Sequence, residues 1–288
     1  MKKRIIVIII FIMLLLVTGC GGTKGNGSNV KNVESKTSNG ITRASVPETV
    51  ILDRDGIKVT VKEMVYKSWE VDIKVLIENN SSQNITVQAR KFSINGIMIE
   101  PTFSADVASG KKANDSISIY NSDLKVANIT TIKDIEFGLH VFDADSWDEM
   151  FDQNGIVLTT NATDYVQTYN TSGTLVVDQN DIKMYVLKMD DKDSFWGADI
   201  YVYIENNSSQ NITVQARDVS IDGFMVEPSF SADVEAGKKS YDTITFMESD
   251  LEDNGITDIK QIELKFTVFN EDTWNDIFDT DIKTINFN

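Results

Sequence analysis

The chain carries 44 acidic side chains against 27 basic ones and a single histidine, so any chemistry it performs has to be drawn from carboxylates. These gather twice. Asp143, Asp145, Asp148, Glu149 and Asp152 form one cluster, and Glu271, Asp272, Asp276, Asp279 and Asp281 form another. Oxygen-rich groups of this kind suit a calcium ion outside the cell, yet neither cluster has the alternating ligands and central glycine of an EF-hand loop. They read as decorated turns, as do Asp190, Asp191 and Asp193, with calcium as the minor alternative. Paired carboxylates also cleave glycosides, but on so acidic a surface spacing singles out no pair. His140 alternates with Gly138 and Phe142 and falls on the outer face of a strand, with no nucleophile or metal partner in view, and Thr267 stands at the equivalent later position. The chain has no phosphate-binding glycine loop, no Cys/His metal spacing and no Gly-x-Ser-x-Gly elbow. Neither catalysis nor a cofactor is expected. The acidity also argues against nucleic acid, whose phosphates need a basic footprint.

What positions these residues is a repeat. Residues 77–90, IENNSSQNITVQAR, return letter for letter as 204–217, and 69–152 lies on 196–279 without a gap at an offset of 127. The copies are taken as 48–161 and 173–288, each long enough to bury its own core. Between them 162–172 is a linker in which Tyr165 and Tyr169 are available to pack, favouring a fixed elbow over freely swinging domains. The first copy holds 18 acids and 11 bases and the second 24 and 9, so the second is about twice as acidic, which most simply makes a solvated surface.

The start of the chain is different in kind. Lys2, Lys3 and Arg4 precede an unbroken apolar run over 5–17, too short to span a bilayer but suited to a signal segment. Leu16-Val17-Thr18-Gly19-Cys20 follows, and Cys20 is the only cysteine. This stretch resembles a bacterial lipobox, which implies cleavage after residue 19, acylation of Cys20 and an anchor on the extracellular face of the membrane. With one cysteine no disulfide is available within the chain, so the domains must hold by core packing. Residues 20–47, rich in Gly, Ser, Thr and Asn, read as a flexible tether that sets the first domain about 25 to 30 Å from the lipid.

Within the first copy, 57–61 alternates strictly, and Val71, Ile73, Val75 and Ile77 do so on the next strand. Residues 79–84 form a polar turn, followed by strands at 85–89, 92–94 and 97–99. The pairs Asn95-Gly96 and Asp222-Gly223 predict tight hairpins. Pro101 and Pro228 mark strand ends, Gly110-Lys-Lys and Gly237-Lys-Lys mark further turns, and 116–120, 134–142 and 156–160 complete the strands. Ser146-Trp-Asp-Glu149 and Thr273-Trp-Asn-Asp276 read as capping boxes, each opening a helical turn whose Trp147 or Trp274 plugs one end of the domain. Many short strands with regular turns describe an all-β chain of two tandem immunoglobulin-like sandwiches, with a closed barrel as the alternative.

The succession of capping-box Trp, Gly-Lys-Lys turn, Asn-Gly or Asp-Gly hairpin and Ile-Glu-Asn-Asn resembles the telokin-like, immunoglobulin-fold domains of lipoproteins from low-GC Gram-positive bacteria. The resemblance covers both copies and implies fold and exported location, with no catalytic residues to transfer. Function is therefore sought where the copies differ. Thr60, Lys74 and Leu76 align with Tyr185, Tyr201 and Tyr203, which predicts an outward aromatic patch on the second copy suited to a sugar or a protein partner. The expected activity is non-catalytic binding or adhesion to an envelope protein or glycan, with an accessory or sensing subunit and a purely structural surface protein as alternatives.

Overall fold

A computed structural model of the chain describes residues 40–190 and 197–287. The signal segment, Cys20 and most of the tether lie outside the described residues, as do Asp191 and Asp193. In chain order the first repeat contains β1 (Thr49–Arg54), β2 (Ile57–Tyr66), β3 (Glu70–Asn79), β4 (Ile85–Ile94), β5 (Ile97–Met98), β6 (Ser104–Val107), β7 (Lys111–Tyr120), the short helix α1 (Asn121–Val126), β8 (Asp134–Asp143) and β9 (Glu149–Thr159). The second contains β10 (Thr174–Gln179), β11 (Ile182–Asp190), β12 (Gly197–Asn206), β13 (Ile212–Ile221), β14 (Phe224–Met225), β15 (Ser231–Val234), β16 (Lys239–Met247), α2 (Glu248–Asp253), β17 (Gln261–Asn270), β18 (Asp276–Asp279) and β19 (Lys283–Asn286). The described chain is all-β, and no helix in it is long and apolar enough to cross a membrane.

Each repeat stacks two antiparallel layers on a core of its own. In the first, β1-β2-β3-β7 faces the layer formed by β5 and β6 on β4, then β8 and β9; in the second, β10-β11-β12-β16 faces β14 and β15 on β13, then β17 with β18 and β19. Strict alternation dictates this. Val71, Ile73, Val75 and Ile77 are each at most 1% exposed, and so are Ala198, Ile200, Val202 and Ile204 on β12. The layers are not separate across the repeats. Lys239 of β16 pairs in parallel with Ile97 of β5, joining a layer of each repeat into one nine-stranded sheet.

The duplicated stretch earns its identity partly through one buried amide. Asn79 Nδ2 donates to the carbonyls of Gln83 and Val107, while its Oδ1 accepts from the Ser81 amide and hydroxyl. Asn206 repeats every one of these bonds with Gln210, Val234 and Ser208. Both asparagines are fully buried, so the polar turn is fastened from inside and a side chain without that amide would remove four hydrogen bonds from it.

Several expectations are corrected. Residues 41–46, assigned to the tether, pack on the first core: Ile41, Ala44 and Val46 are buried, and Thr42 bridges Thr131. The two capping boxes open no helix. Asp143 N bonds Asp148 O, closing a turn between β8 and β9, and Ser146 Oγ accepts from Asp148 N. The same hydroxyl-to-acid spacing serves a hairpin turn when the flanking strands are already in register. Trp147 and Trp274 therefore sit at left-handed φ of 66° and 60° and are 73% and 67% exposed. Each stacks on a neighbouring Phe, at 5.6 Å from Phe142 and 5.4 Å from Phe269, rather than plugging a core. Segments 85–89 and 92–94 are one strand, β4, whose ladder shifts between Arg90 and Ser93 with Lys91 at φ 52°.

Candidate functional site: the acidic cleft between the repeats

The linker and the sheet join bring the outer face of β16 beside the β4–β5 edge, leaving an open cleft of about 1120 Å³ lined by both repeats. Eight carboxylates line it against two permanent cations, Arg90 and Lys91. Arg90 is occupied by its bond to Gln88 Oε1. Lys91 reaches across from the β4 bulge, its Nζ lying 3.3 Å from Glu235, 3.6 Å from Asp272 and 3.9 Å from Glu271. Burial works against its charge, but Glu271, Glu235 and Asp272 outweigh that and hold the ammonium above its ordinary pKa. Glu271 is pushed up by burial against the pull of Lys91, and its Oε2 is buried without a hydrogen-bond partner.

Asp242, on β16, is the most perturbed carboxyl in the cleft. Burial pushes its pKa up to about 6; the Thr243 amide pulls down, and Glu100 and Asp233 add repulsion. Asp123 on α1 is also raised by burial. The cleft thus gathers more negative charge than the protein itself neutralises. It can bind ammonium or guanidinium groups, and it loses that capacity as the carboxyls protonate.

The tyrosine patch is placed differently from the expectation. Tyr185 and Tyr203 do pair across β11 and β12, with rings 6.0 Å apart. Tyr203, however, is fully buried, covered by Tyr169 of the linker at 6.2 Å and by Tyr241 of β16 at 4.6 Å. It had been assigned to open surface because alternation gives the face and not what covers it. Its hydroxyl donates to Glu205, and burial carries its pKa far above the ordinary value. Tyr241 also touches the first core, and its hydroxyl accepts from Asn170 N. Tyr185 and Tyr201 stay half-buried, with Lys188 Nζ 4.3 Å over the Tyr201 ring. The linker is fixed at its other end by Gln167, which bonds Asn95 and Asn128, and by the Tyr169 hydroxyl on Asn95 O.

Three acids of the first carboxylate cluster serve its turn, whereas Glu271 and Asp272 of the second face Lys91. Asp143 accepts from the Ser146 and Asp145 amides and from Gln83, contacts that hold it below the ordinary carboxylate range, the Ser146 amide most of all. Asp145 accepts from Asn84 and Asp148 from Ser146 Oγ. His140, expected to stand without a partner, lies with Nδ1 2.6 Å from Asp152 Oδ1. Lys91, Glu235, Asp242 and Glu271 were not anticipated as a site. The available signal was disagreement between copies at three of them, where Asp218, Ala108 and Ala144 correspond to Lys91, Glu235 and Glu271; Asp242 keeps its aspartate as Asp115.

No family model and no curated protein matches the chain. Among solved structures, a beta-glucuronidase of Bacteroides uniformis is similar over 77% of this chain and 26% of its own, at 11% identity and a TM-score of 0.24. Red sea bream transglutaminase is similar over 84% and 31%, at 9% identity and 0.20. The chain spans about a quarter to a third of the length of these structures, and likeness at this level carries no functional argument.

Proposed function

We propose that the protein is an extracellular lipoprotein, anchored through Cys20, whose two tandem immunoglobulin-like sandwiches form a non-catalytic binding module with the acidic cleft as its binding surface. The sandwich reading is supported by two stacked layers on a separate core in each repeat. The anchored location is supported by the basic start, the apolar run and the single cysteine. The ligand class follows from the cleft: a segment of an envelope protein or an amino-bearing glycan that presents ammonium or guanidinium groups.

The observation that carries this reading is the buried, unpartnered Oε2 of Glu271, in a cleft whose carboxylates outnumber its cations. A donor from outside would satisfy it. The test is retention of solubilised envelope and wall material on the full chain in detergent micelles, compared with a Glu235→Gln, Glu271→Gln variant. The expected result is a saturable partner released by salt and lost in the variant. Undiminished retention by the variant would move the site elsewhere, with Tyr201→Ser reporting on the half-exposed aromatic edge. No saturable partner would favour a structural surface protein. Because the cleft spans the junction, a bound cation would also bias how the repeats meet, which favours an accessory or sensing subunit as the second reading.

A further inference from the structure

On the outer face of the β8–β9 hairpin two residues that line the cleft, His140 and Asp152, meet Glu149 in a cluster that the Lys91 ion pairs do not account for. On β8, His140 stands opposite Asp152, and Phe142 stands opposite Glu149, with a register shift between Val141 and Phe142 that leaves Met150 as the extra residue. The shift turns Glu149 onto the same face as His140 and Asp152. One ligand atom from each of the three lies within 4.8 Å of the others, the one such convergence among the described residues. We propose that His140, Glu149 and Asp152 form a binding site for a divalent transition metal of the zinc class, present in the first repeat and missing from the second.

The donor set decides the metal. Calcium and magnesium take oxygen ligands, whereas an imidazole with two carboxylates suits zinc and its neighbours, with water completing the coordination. His140 is half-buried and the two acids are exposed, so an ion enters without disturbing the core. The Nδ1 to Oδ1 contact of 2.6 Å aims the imidazole and the Asp152 carboxylate at one point. Protons compete with a metal for the imidazole and the carboxylates, so acid displaces the ion. Arg90 is the nearby opposing charge, two residues beyond Gln88, which faces His140 on β4; its guanidinium is turned to Gln88.

The second repeat supplies the control. Its hairpin has the same register, Thr267 opposite Asp279 and Phe269 opposite Asp276. Two carboxylates persist, with Glu149 replaced by the shorter Asp276, and the imidazole is gone. The site does not rest on the cleft's ligand. His140 and Asp152 also line the cleft, whereas Glu149 does not, and the acids that hold Lys91 are Glu235, Glu271 and Asp272.

The chain has one histidine, so the full chain labelled with ¹⁵N-histidine, in detergent micelles and without a histidine tag, gives one set of imidazole resonances. Titration with zinc chloride should shift them to saturation at one equivalent, reversed by EDTA and unmatched by calcium chloride. By calorimetry His140→Thr, which installs the second repeat's own residue, and Asp152→Asn should each weaken zinc binding at least ~10-fold, the lower end of what losing even a supporting partner costs. Thr267→His should raise the stoichiometry from one to two. Resonances unmoved by excess zinc, an equal response to calcium, or unchanged zinc affinity in His140→Thr would overturn the proposal. A Thr267→His variant that folds and gains no second equivalent would overturn the claim that the missing imidazole is what keeps the second repeat from binding.

Discussion

The two repeats share the polar turn after their third strand and differ where they meet. Asn79 and Asn206 fasten identical turns, and Thr86 bonds Asp106 as Thr213 bonds Asp233. At the β4 bulge, Lys91 reaches the other repeat, while Asp218 in the same left-handed position pairs with Lys265 of its own repeat. Ala108 and Ala144 are replaced by Glu235 and Glu271, the acids that face Lys91, and Asn114 and Leu76 by Tyr241 and Tyr203, the rings that close on the linker. Five of the substitutions that separate the copies therefore fall at one interface. The copies form an asymmetric pair, alike at the Asn79 and Asn206 turns and unlike at this contact surface.

The sharpest way to test that view is the position where Leu76 and Tyr203 correspond. Tyr203→Ala empties a fully buried site and should cost about 3 to 4 kcal/mol, whereas Leu76→Ala, at a half-buried position, should cost about 1 kcal/mol in urea unfolding. Equal losses would mean that the aromatic cluster adds nothing beyond its repeat. Asn79→Ala and Asn206→Ala should break both copies alike, by about 3 kcal/mol each, because each removes the same four hydrogen bonds. Unequal costs there would break the claim that the turns are equivalent.

Acid should separate the repeats. Asp115 and its counterpart Asp242 each accept from the next residue's amide at 2.7 Å, but Asp115 is exposed and Asp242 half-buried at the junction. Asp242's folded pKa, about 6, lies above its ordinary 3.8. Between these values the folded chain keeps a proton that the unfolded chain gives up, so this group's contribution to stability falls as pH rises through the window and stays low above it. Asp242→Asn should remove that fall and stabilise the protein near neutral pH by about 2 kcal/mol. Asp72 in the first repeat behaves oppositely. Burial alone would raise it, but Lys67, Lys74 and Ser118 outweigh that and hold it low, so its contribution is present above the ordinary value and lost as pH falls through the folded one. Melting curves from pH 3 to 8 with and without Asp242→Asn check both signs. The smallest effect belongs to Lys91→Ala, which should cost at most about 1 kcal/mol as a partly exposed ion pair yet widen the interdomain angles seen by small-angle scattering.

Much of the fold was legible because its signals are local. Asn95-Gly96 and Asp222-Gly223 carry positive φ at both residues, the geometry those pairs specify, and the alternation on β3 places every inward residue correctly. The edge strands β1 and β10 were missed because bulges between Val50 and Leu52, and between Leu175 and Val177, interrupt their period. Helices α1 and α2, six residues each, are too short for a helical period to appear. The site was not legible for another reason. Lys91 and Glu271 are brought together only by the way one repeat seats on the other, and no local pattern records that. The same limit explains Tyr203: its outward parity was read correctly, but the ring that covers it arrives from the linker.

The parallel join of β5 and β16 gives the pair a mechanical character. Domains strung on a loose chain absorb tension by reorienting, whereas these two share a sheet, with the Lys239 amide bonded to Gly96 O across the seam. Within each repeat the long ladders must be unzipped or sheared through many bonds together; the seam rests on one register pair. A pulling force between the repeats would load that pair together with the Lys91 and Lys238 ion pairs before it reached the ladders of either core.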